Sequence, residues 1–323
     1  MKKLFLLFAG VLLLTACSNN SQQKDGNTAK VYFTKEISPE ALVKIYKALG
    51  IEAEGRVAVK ISTGEKDNNN YLPPTLFRDL VDAVHGTIVE CNTAYGGSRS
   101  TNELHWQTIH EHGFDSIFAV DIMDEEGVMR IPIRDHKWIK YDIVGSHLDR
   151  YDFMINLAHF KGHNIGGFGG VLKNQSIGVA AAPGKAYIHS AGVTQKPVRE
   201  AWRFLDNQDG FLECMAATAQ GVSDYFEGKI VYISVINNLS IDCDCDAFPA
   251  PARLHDMGIM ASLDPVALDR ACVDMIVNHK CAGDEDNKPL IHRMDSLNAT
   301  HLLDYAEKLG MGTQKYEIID IDK

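Results

Sequence analysis

The sequence predicts an α/β fold, a parallel or mixed sheet with helices on both faces. Apolar runs of strand length alternate with capped segments of helix length, an order that covers a sheet from both sides. The run from Phe153 to Phe160 is largely apolar and reads as a strand of a parallel sheet, buried on both faces. Two lysines, a histidine and five closely spaced glycines follow it at once. Open α/β sheets place their ligands there, beyond the carboxyl ends of the strands.

Each element has a local reason. Ser38-Pro39-Glu40 supplies an N-cap, a first-turn proline and an acidic residue, and Gly50 stops that helix. VAVKIS at 57–62 is a strand, Pro73-Pro74 open a helix that ends near Gly86, and TIVEC at 87–91 is the next strand. A capping box of Ser100 and Glu103 starts a further helix, which Gly113 closes. After the 153–160 strand comes a glycine loop with Gly162, Gly166, Gly167, Gly169 and Gly170, and GKAYIHS at 184–190 is expected as another loop. Residues 211–226 read as a helix, 229–239 as a buried strand and 258–262 as a short strand. Asp264 then caps a helix with Pro265 at its first position. A helix over 296–309 and the strand YEIIDI complete the pattern.

The chain begins with Lys2 and Lys3, an apolar run from Leu4 to Leu14, and Thr15-Ala16 before Cys17. That is the layout of a signal peptide over residues 1–16, with an apolar run too short to span a bilayer confidently. Leu14-Thr15-Ala16-Cys17 resembles a bacterial lipobox, which implies cleavage before Cys17 and its acylation. Several acyl chains on one residue hold a domain stably at a membrane. Ser18 after the cysteine implies the outer membrane, facing the periplasm. Residues 17–30 are a polar, flexible tether, and residues 31–323 form the α/β domain.

The net charge is −11 at pH 7 and becomes −13 when Lys2 and Lys3 leave with the leader. This excludes nucleic acid as the main partner and leaves the lipid anchor as the only tie to the membrane. Six cysteines follow Cys17 without the spacing of a small disulfide scaffold. Cys91, Cys214 and Cys272 read as buried thiols.

The expected chemistry is basic and local. Glycines at 167 and 169 let backbone N–H groups approach an anion, with Lys161, Lys173 and Asn174 around them. No Walker or G-x-G-x-x-G spacing is present, so a nucleotide is not implied. Arg99, in a YGGSR loop, carries the planar fork suited to a carboxylate. His105, His110 and His112 do not share one helix face and are poorly spaced for a metal. Cys243-Asp244-Cys245 places two sulfurs on one side of an extended segment. They can share a transition metal or iron–sulfur centre, pair as a disulfide or remain thiols; as ligands they are the expected metal residues.

NTAYGGSRSTNELHWQTIHEHGF, KGHNIGGFGGVLKNQSIG, GKAYIHS, IDCDCD and GIMASLDPVALD resemble, in that order, the domain-of-unknown-function family numbered 362. The resemblance covers nearly all of residues 53–310. Many members carry a ferredoxin-like insert. Residues 190–213 hold no cysteine here, so no built-in ferredoxin is expected. The family is also distantly similar to lactate racemase, in which lysines and histidines hold a nickel cofactor and act on a 2-hydroxy acid. That likeness implies a joint use of Lys161, His163, Lys173 and His189, with His163 and His189 as the catalytic groups and the lysines on the anion.

The combined expectation is an envelope lipoprotein whose α/β domain binds a small anionic ligand and acts as a metal- or cofactor-dependent isomerase or redox enzyme. The alternative is a non-catalytic solute-binding or interaction lipoprotein. Whether the lysine–histidine loop and the cysteine pair meet is left to the tertiary structure.

Overall fold

A computed structural model describes residues 28–197 and 206–323; the leader, Cys17 and most of the expected tether lie outside the described residues. Twelve strands appear in chain order: β1 (Ala29–Thr34), β2 (Val57–Lys60), β3 (Thr87–Glu90), β4 (Val120–Ile122), β5 (Val128–Ile131), β6 (Asp142–Gly145), β7 (Phe153–His159), β8 (Lys161–His163), β9 (Gly167–Gly169), β10 (Ile230–Ile236), β11 (Gly258–Ser262) and β12 (Tyr316–Asp320). Eight of them form one sheet in the order β12-β1-β11-β10-β7-β2-β3-β4. Every neighbouring pair is parallel except the two made by β11, which runs against the rest. The sheet is therefore mixed and mostly parallel.

Helices cover both faces, as expected. On one face lie α1 (Pro39–Ala48), α2 (Pro74–Ala83) and α3 (Asn102–Glu111). Leu42, Phe77 and Ile109 pack there with Phe153, Ile155 and Leu157 of β7. The opposite face carries α4 (Val171–Ser176), α5 (Ala182–His189), α6 (Gln208–Tyr225), α7 (Pro265–Val277), α8 (Lys288–Ser296) and α9 (His301–Lys308). Leu172, Met215 and Leu268 meet Met154 and Ala158 of the same strand. The two sets alternate along β7 because successive strand side chains point to opposite faces.

Several boundaries differ from expectation, each for a physical reason. Thr101, not Ser100, caps α3: its hydroxyl accepts from the Leu104 amide. Lys185 and His189 sit on α5 rather than in a loop, because Pro183 falls in the first turn where its missing N–H costs nothing. The glycine stretch is no open loop but the hairpin β8–β9, whose strands pair Lys161 with Gly169 and His163 with Gly167. The last helix starts later than expected, at His301: α8, which was not expected, ends at Ser296, and Asn298 at φ 49° separates it from α9. β1 begins at Ala29, within the expected tether, and pairs along its length with β12. β4, β5 and β6 carry only three or four residues each, too few for a period to show in the sequence. Among the described residues no helix is long and apolar enough to cross a membrane.

Candidate functional site

From β2 the chain winds outward to β3 and β4, then returns to lay β7 and β10 on the other side of β2. The crevice between β2 and β7 is therefore a topological switch point, where α/β sheets bind ligands at their carboxyl edge. Lys60, Glu90 and His159 are the last residues of β2, β3 and β7, and all three line a cavity of about 270 Å³ at that edge.

Of the residues singled out from the sequence, Arg99, Lys161, His163, Gly169, Lys173, Asn174, His189, Cys243 and Cys245 line this one cavity. The lysine–histidine segment and the cysteine pair therefore meet, across about eighty residues of sequence, because the turn after β10 lies against β8. Gly162 shows the contact: a Cβ there would sit 2.3 Å from the Ile241 carbonyl oxygen. Gly167 is not part of the lining. It has φ 80° at the hairpin turn and faces Ala299, where a Cβ would come within 2.4 Å.

The cations divide into paired and unpaired. Arg99 was expected to hold a ligand carboxylate; its guanidinium instead meets two carboxylates of the protein. Nε lies 3.1 Å from Glu65 Oε1 and Nη1 lies 3.1 Å from Glu90 Oε1. Lys60 Nζ is 3.0 Å from the other oxygen of Glu90. Burial works to raise the Glu90 carboxyl, but Lys60 and Arg99 outweigh it and hold it at about 2. Lys161 is ion-paired with Asp244, whose other oxygen lies 3.2 Å from His159 Nδ1. Burial lowers Lys161, Asp244 opposes this, and the amine comes to about 8. Asn174, expected on the ligand, spends its amide on the Lys60 carbonyl at 3.0 Å and Asn156 Oδ1 at 2.8 Å, and its oxygen accepts from Lys60.

Lys173 is different. It is half-buried, its side chain runs past Gly169, and among the described residues its Nζ has no hydrogen-bond or ion-pair partner. Burial, then the charge of Lys161, bring it down to about 7. Lys185 also lacks a carboxylate partner among the described residues; its Nζ donates to the carbonyl oxygens of Ala180 at 2.5 Å and Cys91 at 3.4 Å.

The two histidines are held in opposite tautomers. His163 Nδ1 accepts from the backbone amides of Ile165 at 3.3 Å and Gly166 at 2.7 Å, so its neutral ring carries the proton on Nε2. His189 Nδ1 donates to the Lys185 carbonyl oxygen at 2.7 Å, which puts the lone pair on Nε2. Burial and then nearby cations push both rings down, His189 to about 4 and His163 well below the ordinary histidine range. Both rings are thus neutral at pH 7, and both line the cavity with Lys173.

Cys243 and Cys245 are joined in a disulfide, one of the alternatives the sequence left open. Together with His163 they place donor atoms within 4.8 Å of one another, a group with the N and S chemistry of a soft metal site. As bonded here, the sulfurs are not the thiolates a transition metal or iron–sulfur centre requires, and His163 Nδ1 is already occupied. The expected metal role of the pair therefore does not fit the oxidised form.

Sequence reasoning passed over Lys60, Glu90, His159 and Asp244. The available signal was a charged or polar side chain closing each of three apolar runs, VAVK, TIVE and FMINLAH.

Comparison with solved structures returns distant likenesses. The lactate racemase apoprotein from Thermoanaerobacterium thermosaccharolyticum aligns at 14% identity and TM-score 0.39, over 66% of this chain and 51% of that one. A Thermotoga maritima protein aligns at 12% identity and TM-score 0.36, over 85% and 59%. The chain thus spans between half and three-fifths of each of these proteins. No curated protein sequence matches it. The family model described as Domain of unknown function (DUF362) matches residues 57–274, two-thirds of the chain, and the protein belongs to that family.

Proposed function

We propose that the cavity binds a small organic anion bearing a carboxylate, and that Lys173 with His163 and His189 transfers protons on the bound molecule, an isomerase-type reaction. The observation that carries this is the amine of Lys173, open to the cavity and without a carboxylate partner among the described residues. Five cations line the cavity, Lys60, Arg99, Lys161, Lys173 and Lys185, against two acids, Glu90 and Asp244. With Glu65 behind Arg99, three carboxylates satisfy Lys60, Arg99 and Lys161, so the surplus positive charge lies at Lys173 and Lys185. An amine at about 7 is half-charged at neutral pH and serves both as anion partner and as base. His163 Nε2–H supplies a donor, and His189 lines the same cavity.

The reading extends to location. Leu14-Thr15-Ala16-Cys17 supports an acylated Cys17 that tethers the domain to the outer membrane, and the Cys243–Cys245 disulfide suits an oxidising envelope compartment.

Thermal stabilisation by a panel of small carboxylates, 2-hydroxy and 2-oxo acids included, tests the binding, with inorganic phosphate as the non-carboxylate control. Stabilisation by a carboxylate in the parent and its loss in Lys173→Met support the reading; equal stabilisation in both sinks it. For any acid that binds, exchange of its α-hydrogen in D2O, followed by proton NMR, tests proton transfer. Binding without exchange would leave a solute-binding protein.

A further inference from the structure

The cavity wall also carries a group that proton transfer does not use. Cys243 and Cys245 are bonded through their sulfurs and both line the cavity. Cys243 is 3% exposed, whereas Cys245 is half-buried and opens toward solvent. We infer that this pair is a redox-active couple, reduced by a small thiol or dithiol that attacks Cys245, with Cys243 as the leaving sulfur. The inference does not rest on the anion reading.

Three observations support it. The Cys245 amide donates to Cys243 Sγ at 3.2 Å, so a thiolate formed on Cys243 is met by a donor already in place. A better-stabilised leaving thiolate departs faster. His163 offers a ring nitrogen within 4.8 Å of both sulfurs, a second polar neighbour for that charge. The turn is also held by bonds other than the disulfide. Asn68 Nδ2 donates to the carbonyl oxygens of Cys243 at 3.3 Å and Asp246 at 2.7 Å, and the Glu65 amide donates to the Asp244 carbonyl at 2.8 Å. The side chain of Asp244 is anchored by Lys161 and His159. Cleaving the disulfide therefore leaves two thiols where they were, ready to re-form it. Three of the four other cysteines of the described residues do not compete: Cys91, Cys214 and Cys272 are buried, and burial pushes each thiol up; the fourth, Cys281, is exposed and lies outside the cavity lining.

The step balances as thiol–disulfide exchange. An incoming thiolate bonds to Cys245 Sγ, the bond between the two protein sulfurs breaks, and Cys243 leaves as thiolate. A second thiol, or the other arm of a dithiol, displaces Cys245 from the mixed disulfide. The two reductant protons end on the two cysteines, and the reductant departs as its own disulfide, oxidised by two electrons.

The test is alkylation of the folded full chain before and after dithiothreitol, mapped by peptide mass spectrometry. The expected result is two labels gained, at Cys243 and Cys245, with unchanged circular dichroism and loss of both labels after oxidised glutathione. Exposed Cys281 is the positive control, labelled both without and with dithiothreitol. Labels that appear only after unfolding, or at both positions without reductant, overturn the inference. The direction of attack is read separately from mixed-disulfide formation with oxidised glutathione, mapped by peptide mass spectrometry so that Cys281 is counted apart. Cys243→Ser, which keeps Cys245, reacts several-fold faster than Cys245→Ser. Equal or reversed rates overturn the assignment of Cys245 as the attacked sulfur.

Discussion

Asp269, buried on α7, caps a different helix: its carboxylate oxygens accept from the backbone amides of Val171 at 2.8 Å and Leu172 at 3.0 Å. Those amides open α4, the short helix that aims Lys173 and Asn174 at the cavity. Asp269 is a positioning residue, acting through α4. A Cβ on Gly170 would come 2.2 Å from Asp269 Oδ1, which explains glycine there.

The cap has a measurable value. Asp269→Ala leaves two buried amides unpaired and should cost about 1–3 kcal/mol in denaturant unfolding. Gly170→Ala should cost a similar amount by displacing the carboxylate, about 1–3 kcal/mol. Burial raises the Asp269 carboxyl to about 7, against the pull of the two amides. A carboxyl raised on folding contributes stability that is full below about pH 4 and is lost as pH rises toward 7. Asp269→Asn does not titrate, so its stability profile should lack that decline. A parallel pH profile in parent and variant would show that Asp269 does not titrate in this window.

Two cavity lysines should respond oppositely to the same substitution. Lys161→Met strands the buried Asp244 without its ammonium and should destabilise by about 3–5 kcal/mol. Lys173→Met removes a cation that has no anionic partner among the described residues. Its stability should rise or stay within about 0.5 kcal/mol of the parent, while carboxylate-induced stabilisation disappears. Equal losses in the two variants would mean that Lys173 has a structural partner.

The protonation of Lys173 sets a pH signature for binding. The ammonium is present below about 7, so affinity for a carboxylate should be highest there and fall by up to about tenfold per unit above it. Proton abstraction by the free amine should rise through the same pH. On the stability side, this amine lies below its ordinary 10.5 in the folded chain. Its contribution therefore increases with pH between about 7 and 10.5, where the unfolded chain binds the proton and the folded one does not. Calorimetric titration of a bound acid from pH 6 to 9 checks the first sign. An affinity constant across that range would remove Lys173 from the binding step.

Arg99 distinguishes an internal role from a ligand-facing one. If Glu65 and Glu90 are its partners, Arg99→Ala should destabilise by about 3–5 kcal/mol by leaving buried carboxylates uncompensated. Arg99→Lys should recover only part of this, because a point charge cannot bridge both acids as the planar fork does. Unfolding midpoints of the two variants decide it. Full stability with lost ligand binding would restore the carboxylate-binding role that the YGGSR loop suggests.

What the sequence determined by itself was the layered α/β plan and the neighbourhood of the site. Those signals are local: period and length mark β7 and β10, caps and prolines mark α1 and α7, and the segment from Lys161 to Asn174 follows the carboxyl end of a buried strand. Only the tertiary structure decided the partners. Glu65 and Glu90 claim Arg99, Asp244 claims Lys161, and Lys173 is left open because no acid of the described residues reaches it. These choices depend on how β2, β3, β7 and the turn after β10 converge at one sheet edge, and chain order does not encode distances across a sheet. The tautomers of His163 and His189 were invisible for the same reason. They are fixed by backbone groups whose directions exist only once the β8–β9 hairpin and α5 have formed.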